Sequence, residues 1–327
     1  MSRSVFMSAC GDPFITSLAI KLWQKYWHDE VDEFLICYNN NAQVPQNVAS
    51  EFLSRTIFDK KVSIIYHPHG IGNGIPITEM TQISRRSHVM LLEDDGFIFT
   101  PGKVDSAFVQ IEHGHVDAIG SPRGSCGKEV ENAMQKKYNL DYSGYGDVGP
   151  NYWPNFFFCK REDLLKTDMN FASKAFNQGE YFKELDHTFV ENNFGDTFVW
   201  ADIQMRYNGV RFGHVPQYHA MPSEIEDYEK KEANWRDGKP FWMHGGSLSA
   251  GLNGYLSGNI PPTDTLSAKT EMESRAAWWQ IALNNTTGYE GFRDIYQSGI
   301  NNLIEGAKLE RSRIEKKMNI YNSLIQL

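Results

Sequence analysis

His88-Val-Met-Leu-Leu-Glu93-Asp94-Asp95-Gly96-Phe-Ile-Phe99 is the stretch whose reading decides the fold. Val89–Leu92 is an uninterrupted apolar run, which predicts a buried strand, and three acids in succession close it. Carboxylates beside a core are costly unless something pairs with them. A divalent cation is an efficient partner, and Mg²⁺ or Mn²⁺ takes oxygen ligands while leaving room for phosphate oxygens. A solvated turn helped by Gly96 is the bland alternative. The position of the strand in the chain separates the two.

Working outward toward the N-terminus, Ser4–Ala9 predicts a strand broken by Cys10-Gly11-Asp12-Pro13, and Phe14–Trp27 carries apolar residues at helical spacing. Glu33–Tyr38 is a second strand ending in Asn39-Asn40-Asn41, followed by a short helix at Val48–Leu53 and a third strand at Val62–Tyr66. Gly70, Gly72 and Gly74 punctuate a loop before a helix at Ile77–Ser87. The acidic strand is therefore fourth in a βαβ series. Such a series predicts an α/β protein with a mostly parallel sheet and ligands beyond the carboxyl ends of its strands.

Toward the C-terminus the pattern is less regular. Ala118–Gly120 and Asn155–Cys159 predict strands, and Arg161–Leu165 a helix. Thr197–Tyr207 predicts a helix opened by Asp196 as N-cap, and Val210–Val215 a strand. After the linker candidate Pro261-Pro262-Thr263-Asp264 the chain turns helical, with Glu271–Leu283 followed by one long helix over Ile300–Leu324. Ile300, Leu303, Ile304, Ala307 and Ile314 share a face there, a candidate surface for homo-oligomer formation.

The 327 residues carry 32 Lys and Arg against 41 Asp and Glu, a net charge of −9 that argues against a nucleic-acid partner. The four cysteines are scattered without a C-x-x-C pair, so neither a zinc motif nor a disulfide framework is expected. No run reaches the roughly 18 apolar residues of a membrane span, and a cytoplasmic, soluble protein is expected.

The acidic strand end resembles the D-x-D-type motif of GT-A-fold glycosyltransferases. Its E-D-D form is similar to that of the N-acetylglucosaminyltransferase I group, and the strands before it resemble the nucleotide-binding half of the inverting family-two transferases. The resemblance implies a GT-A type Rossmann-like, mostly parallel sheet flanked by helices, with a C-terminal helical extension. It implies a catalytic domain over 1–260, with a nucleotide-binding half at 1–100 and an acceptor half at 101–260, and an extension over 261–327. Carried over, Asp95 holds the Mn²⁺ or Mg²⁺ that bridges the diphosphate, while Glu93 and Asp94 face the ribose, base or donor sugar. Asn39 stands where the family places a base-contacting acid, and its amide hydrogen-bonds a nucleobase edge or belongs to an Asn-rich turn. Asp12 contacts the base or caps the helix at Phe14.

Gly195-Asp196-Thr-Phe-Val-Trp200-Ala-Asp202-Ile-Gln-Met-Arg206 resembles the region that carries the catalytic base of inverting enzymes. The family's adjacent Glu-Asp pair is missing. Asp196 is the first choice for the base, against a helix cap. Asp202 is the second, against an ion pair with Arg206 at i,i+4. Trp242-Met-His244-Gly245-Gly246-Ser247 is similar to the family's C-terminal metal-ligand region. His244 is the preferred ligand and His219 its rival, with backbone N–H groups after His244 and the Ser247 hydroxyl as anion donors. Arg123 and the pair Arg85-Arg86 are candidates to offset phosphate charge, and Tyr152, Trp153 and Trp242 to stack on a sugar ring.

The expected activity is metal-dependent transfer of a hexosyl or N-acetylhexosaminyl group from a UDP- or GDP-sugar to a hydroxyl of a glycan or other glycoconjugate. Direct displacement with an Asp base makes it inverting. The rivals are a nucleotidyltransferase acting on a sugar phosphate, whose basic glycine-rich loop is not found at Cys10-Gly11-Asp12-Pro13, and a sugar-binding module without turnover.

Overall fold

The computed structural model describes residues 2–40, 46–120, 125–140, 151–215, 233–236, 239–245, 248, 265–288 and 290–327. Arg123, His219 and Ser247 lie outside the described residues, as does the Pro261–Asp264 stretch.

The predicted alternation is found. Strand β1 (Arg3–Ala9) leads to helix α1 (Pro13–Tyr26), β2 (Glu33–Asn39), α2 (Gln46–Thr56), β3 (Val62–His67), α3 (Gly74–Ile83) and β4 (His88–Glu93). The chain continues through β5 (Gly96–Ile98), α4 (Lys103–Glu112), β6 (Ala118–Gly120), α5 (Lys128–Tyr138), β7 (Phe157–Lys160) and α6 (Arg161–Leu165). Short strands β8 (Lys174–Phe176), β9 (Tyr181–Phe182), β10 (His187–Thr188) and β11 (Asn193–Gly195) precede α7 (Val199–Tyr207) and β12 (Phe212–His214). Then come β13 (Ala233–Arg236), β14 (Lys239–His244), α8 (Leu266–Asn284), α9 (Glu290–Gly306) and α10 (Arg311–Ile325).

Among the described residues the main sheet has seven strands in the order β12-β6-β7-β4-β1-β2-β3. β3, β2, β1 and β4 run parallel, as does β12 with β6, while β7 is antiparallel to both neighbours. This mostly parallel sheet flanked by helices, with helices at the C-terminus, is the expected fold class. β1 and β4 at its centre are buried on both faces, which is why their sequences read as continuous apolar runs. Among the described residues no helix is long and apolar enough to cross a membrane.

A second sheet, β13-β14-β5, is antiparallel throughout, and the sequence gives no sign of the short β5. Its strand β14 pairs with β5, which leaves the three acids, so the second sheet meets the main one at the acidic turn.

Two expectations about the C-terminal region are corrected. The long helix over Ile300–Leu324 is two helices, α9 and α10, separated at Lys308, whose φ of 51° ends α9 in the left-handed region. The face offered for self-association is spent inside the chain. Ile300, Leu303, Ile304, Ala307 and Ile314 are all buried in the same cluster as Phe14, Leu18 and Trp23 of α1. Trp278 stacks on Tyr321 at 4.4 Å and meets Phe97 of β5 at 4.5 Å, so α8 and α10 help hold the second sheet in place.

Near β12 a packed aromatic pair sets an acid limit on stability. His214 stacks on Tyr152 (ring centroids 5.7 Å apart), and the Tyr152 hydroxyl bonds its Nδ1. Burial, reinforced by the Arg206 guanidinium, lowers the His214 pKa to about 4. The unfolded chain therefore binds a proton below pH ~6.5 that the folded chain refuses until about pH 4. Stability is full above pH ~6.5 and falls as pH drops through that window, by ~2–3 kcal/mol from this residue. Urea unfolding of wild type and His214→Gln between pH 7 and pH 4 checks it; the variant should show the shallower loss.

Candidate active site

β4 ends at Glu93, and the chain turns through Asp94 and Asp95 into β5. Gly96 has no room for a side chain, since a Cβ there would lie 2.4 Å from Asn155 Oδ1. β14 runs antiparallel to β5 with His244 opposite Gly96. That register delivers an imidazole from far along the chain to the acidic strand end. His244 Nε2 lies 3.0 Å from Asp95 Oδ1 and 3.5 Å from Glu93 Oε2. The side chains of His244, Asp95 and Glu93 are 6%, 5% and 15% exposed, respectively, and their ligand atoms lie within 4.8 Å of one another.

The residues after His244 fold around Asp95. The Gly245 N–H donates to the Asp95 carbonyl at 2.8 Å, and the Leu248 N–H donates to Asp95 Oδ2 at 3.0 Å. The Gly245 amide, expected to face an anionic ligand, binds Asp95 instead. Asp95 thereby keeps Oδ1 toward the trio. Burial opposes its ionisation, but His244 and the Leu248 amide outweigh it and hold the carboxyl below its ordinary pKa. Glu93 goes the other way: burial raises its pKa, His244 counters, and the charges of Asp95 and Asp196 raise it further. Asn155, which the sequence did not single out, orients Glu93. Its Nδ2 donates to Glu93 Oε2 at 3.4 Å, and its Oδ1 accepts from the Glu93 N–H at 3.3 Å.

Two carboxylate oxygens and one imidazole nitrogen, nearly dry and converging, are a candidate ligand set for a divalent cation such as Mn²⁺. Of the two acids, Glu93 is the one that burial leaves under-compensated, its pKa raised by desolvation and by the Asp95 charge.

Asp94 faces elsewhere. Its Oδ2 accepts from the Cys10 N–H at 3.2 Å and lies 3.1 Å from Thr16 Oγ1, and its own N–H donates to the Ser8 carbonyl at 3.1 Å. It ties β4 to the β1–α1 turn. Asp12 is corrected in the same way. Its Oδ1 accepts from the Phe14 and Ile15 N–H groups at 3.0 and 2.9 Å, capping α1, and its Oδ2 accepts from the Tyr296 hydroxyl of α9. It is wholly buried, its pKa raised by that burial to about 7, and it is not open to a nucleobase. Asn39 is different. It is 2% exposed at the end of β2, and among the described residues neither atom of its amide has a hydrogen-bond partner. The Tyr38 hydroxyl and Asn40 Oδ1 beside it are also unsatisfied. Buried polar groups are rarely left so without a ligand or water to meet them.

Of the candidate bases, Asp202 is excluded by its surroundings. It is 0% exposed, paired with Arg206 Nε at 2.8 Å and with the Tyr152 N–H at 2.9 Å, and burial raises its pKa. It is the i,i+4 ion pair, not a base that an acceptor can reach. Asp196 is exposed and is not the cap of α7, whose first turn follows Phe198 without a side-chain cap. Its Oδ1 accepts from the Thr197 N–H at 2.7 Å, and its charge is felt at Glu93. Arg85 and Arg86 precede β4, about 20 Å from its acidic end at 3.3 Å per residue, and line a separate pocket with Lys160 and Arg161. They are too far to offset charge at the trio. Trp153 meets the His244 ring edge-on at 4.3 Å, whereas Tyr152 and Trp242 are wholly buried and cannot stack on a sugar.

No family model matches this chain, and no curated protein matches it. Among solved structures it is similar to S. aureus TarS 1-349, with 13% identity, coverage of 100% of this chain and 80% of that one, and a TM-score of 0.42. It is also similar to the mannosyltransferase PcManGT from Pyrobaculum calidifontis in complex with GDP-Man and Mn²⁺, with 8% identity over 98% of this chain and 74% of that one, at a TM-score of 0.44. A third likeness is to glucosyl-3-phosphoglycerate synthase from Mycobacterium tuberculosis, with 14% identity over 51% of this chain and 59% of that one, at a TM-score of 0.36.

Proposed function

We propose that the chain is a metal-dependent glycosyltransferase that takes its sugar from a UDP- or GDP-sugar and gives it to a hydroxyl acceptor, a glycan or other glycoconjugate. The observation that carries this reading is the convergence of Glu93, Asp95 and His244 at the carboxyl end of β4. Mn²⁺ or Mg²⁺ bound there supplies positive charge against the diphosphate as the glycosidic bond breaks. Asp95 and His244 hold the ion, with Glu93 positioned by Asn155 as the third ligand. Asn39, with a buried amide donor and acceptor both unspent, suits the edge of the nucleobase. Trp153 at the rim suits the apolar face of a sugar. Asp196, exposed just before α7, takes the proton of the attacking hydroxyl, so that the product is inverted at the anomeric carbon.

A panel of UDP- and GDP-sugars, screened by thermal shift with and without Mn²⁺, tests the proposal. The correct donor at 100 times its Kd stabilises the fold by ~2.7 kcal/mol, and only with the metal present. The same donor should release nucleoside diphosphate once an acceptor is supplied. Metal-dependent binding without release under any acceptor would leave a sugar-binding module. Release of pyrophosphate from a nucleoside triphosphate would make the chain a nucleotidyltransferase.

A further inference from the structure

A second convergence of metal-ligating side chains lies apart from the trio and has no part in the transfer described above. In the parallel register of β2 and β3, Asn39 pairs with His67 and Cys37 with Ile65. Residues two apart along a strand share a face, so Cys37 and His67 emerge on the same side of the sheet. Helix α3 covers that side, its Ile77 and Met80 joining Leu35 and Cys37 in one buried cluster. Glu79, also on α3, reaches back to the sheet. Its Oε2 lies 2.7 Å from His67 Nε2 and 3.7 Å from Cys37 Sγ, and the three ligand atoms are all within 4.8 Å of one another.

Tetrahedral ligands held 2.0–2.3 Å from a zinc ion stand roughly 3.3–3.8 Å apart. The observed spacing therefore needs small side-chain shifts and no movement of the backbone. The donor set is one sulfur, one nitrogen and one oxygen, which suits Zn²⁺ and not the harder Mg²⁺. The site is also graded from dry to wet. Cys37 is wholly buried, whereas the side chains of His67 and Glu79 are 21% and 33% exposed, so an ion can enter from the rim.

We propose that Cys37, His67 and Glu79 form a zinc site that ties β2, β3 and α3 together, with water in the fourth position. On binding, the Cys37 thiol gives its proton to solvent and ligates as thiolate. His67 ligates as neutral imidazole through Nε2 with its proton on Nδ1, and Glu79 ligates as carboxylate.

The test is a cobalt titration of the metal-stripped full chain, because Co²⁺ reports a sulfur ligand that the Glu93–Asp95–His244 trio lacks. Two equivalents, enough for this site and the trio together, should give the intense near-ultraviolet thiolate-to-cobalt charge-transfer absorption, and two equivalents of Zn²⁺ should remove it. Asp95→Ala should keep the band and Cys37→Ser should lose it. His67→Gln, a change at the rim, should weaken Co²⁺ binding by at least about tenfold while leaving the far-ultraviolet circular dichroism unchanged. Absence of the band at stoichiometric Co²⁺ overturns the proposal. So does a band that His67→Gln leaves at full affinity, and that result is decisive even where Cys37→Ser fails to fold.

Discussion

Asp95→Ala should abolish Mn²⁺-dependent donor binding and lower turnover by ~10³-fold or more, the scale on which charge stabilisation of a leaving group acts. The carboxylate has two tasks, and the substitution removes both. Oδ1 completes the trio with His244 and Glu93, and Oδ2 accepts from the Leu248 N–H. The buried Leu248 amide is left without its acceptor in the alanine variant, at a cost of ~1–3 kcal/mol to the local fold. Asp95→Asn separates the two effects. It preserves an oxygen for Leu248 but removes the charge that a cation needs. The proposal expects the same catalytic loss in both variants, with the drop in thermal stability confined largely to Ala. Calorimetric titration of donor with and without Mn²⁺, together with nucleoside diphosphate release, reads both quantities. Normal metal-dependent binding and turnover in Asp95→Asn would falsify the metal assignment.

Asp196→Asn should behave in the opposite manner: donor affinity within about twofold of wild type, but turnover reduced ~10²–10⁴-fold, the range expected for loss of a general base. The residue is exposed at the entrance to α7 and close enough for its charge to be felt at Glu93. Asn keeps the acceptor for the Thr197 N–H, so the loop before α7 should hold its shape. A split between unchanged donor Kd and lowered kcat separates a base from a residue that merely shapes the loop. Should Asp196→Asn retain the full rate, the base lies elsewhere or the mechanism is retaining, and the anomeric configuration of the product would decide between these. Asp202 is no substitute, because breaking its buried pair with Arg206 would damage the fold before it tested the chemistry.

Much of the fold was legible locally. The apolar runs at Ser4–Ala9, Glu33–Tyr38 and Val89–Leu92 give β1, β2 and β4 because strands buried on both faces need no alternation, and the run at Val62–Tyr66 gives β3, the partly exposed edge strand. Asp12 before Pro13 and Phe14 reads equally as a helix cap or a base contact, and the structure makes it the cap. Partners distant in sequence were hidden. Neither the hydroxyl of Tyr296 on Asp12 nor the amide of Asn155 on Glu93 leaves a sequence signal, since nothing in a local window marks which far residue will meet them. The split between α9 and α10 was missed although Gly306 ends α9, because the apolar spacing from Ile300 to Ile314 continues across the break.

The amino-acid sequence by itself determined the βαβ alternation and the acids that end the fourth strand, because hydrophobic period and chain order are local properties. Only the tertiary structure decided which of those acids share a site. The antiparallel register of β14 on β5 sets His244 beside Glu93 and Asp95, while Asp94 turns inward to the β1–α1 loop. The reason is geometric: β4 ends at Glu93 and the chain turns through Asp94 and Asp95, so the three carboxylates diverge, and long-range pairing selects the ones that meet the histidine.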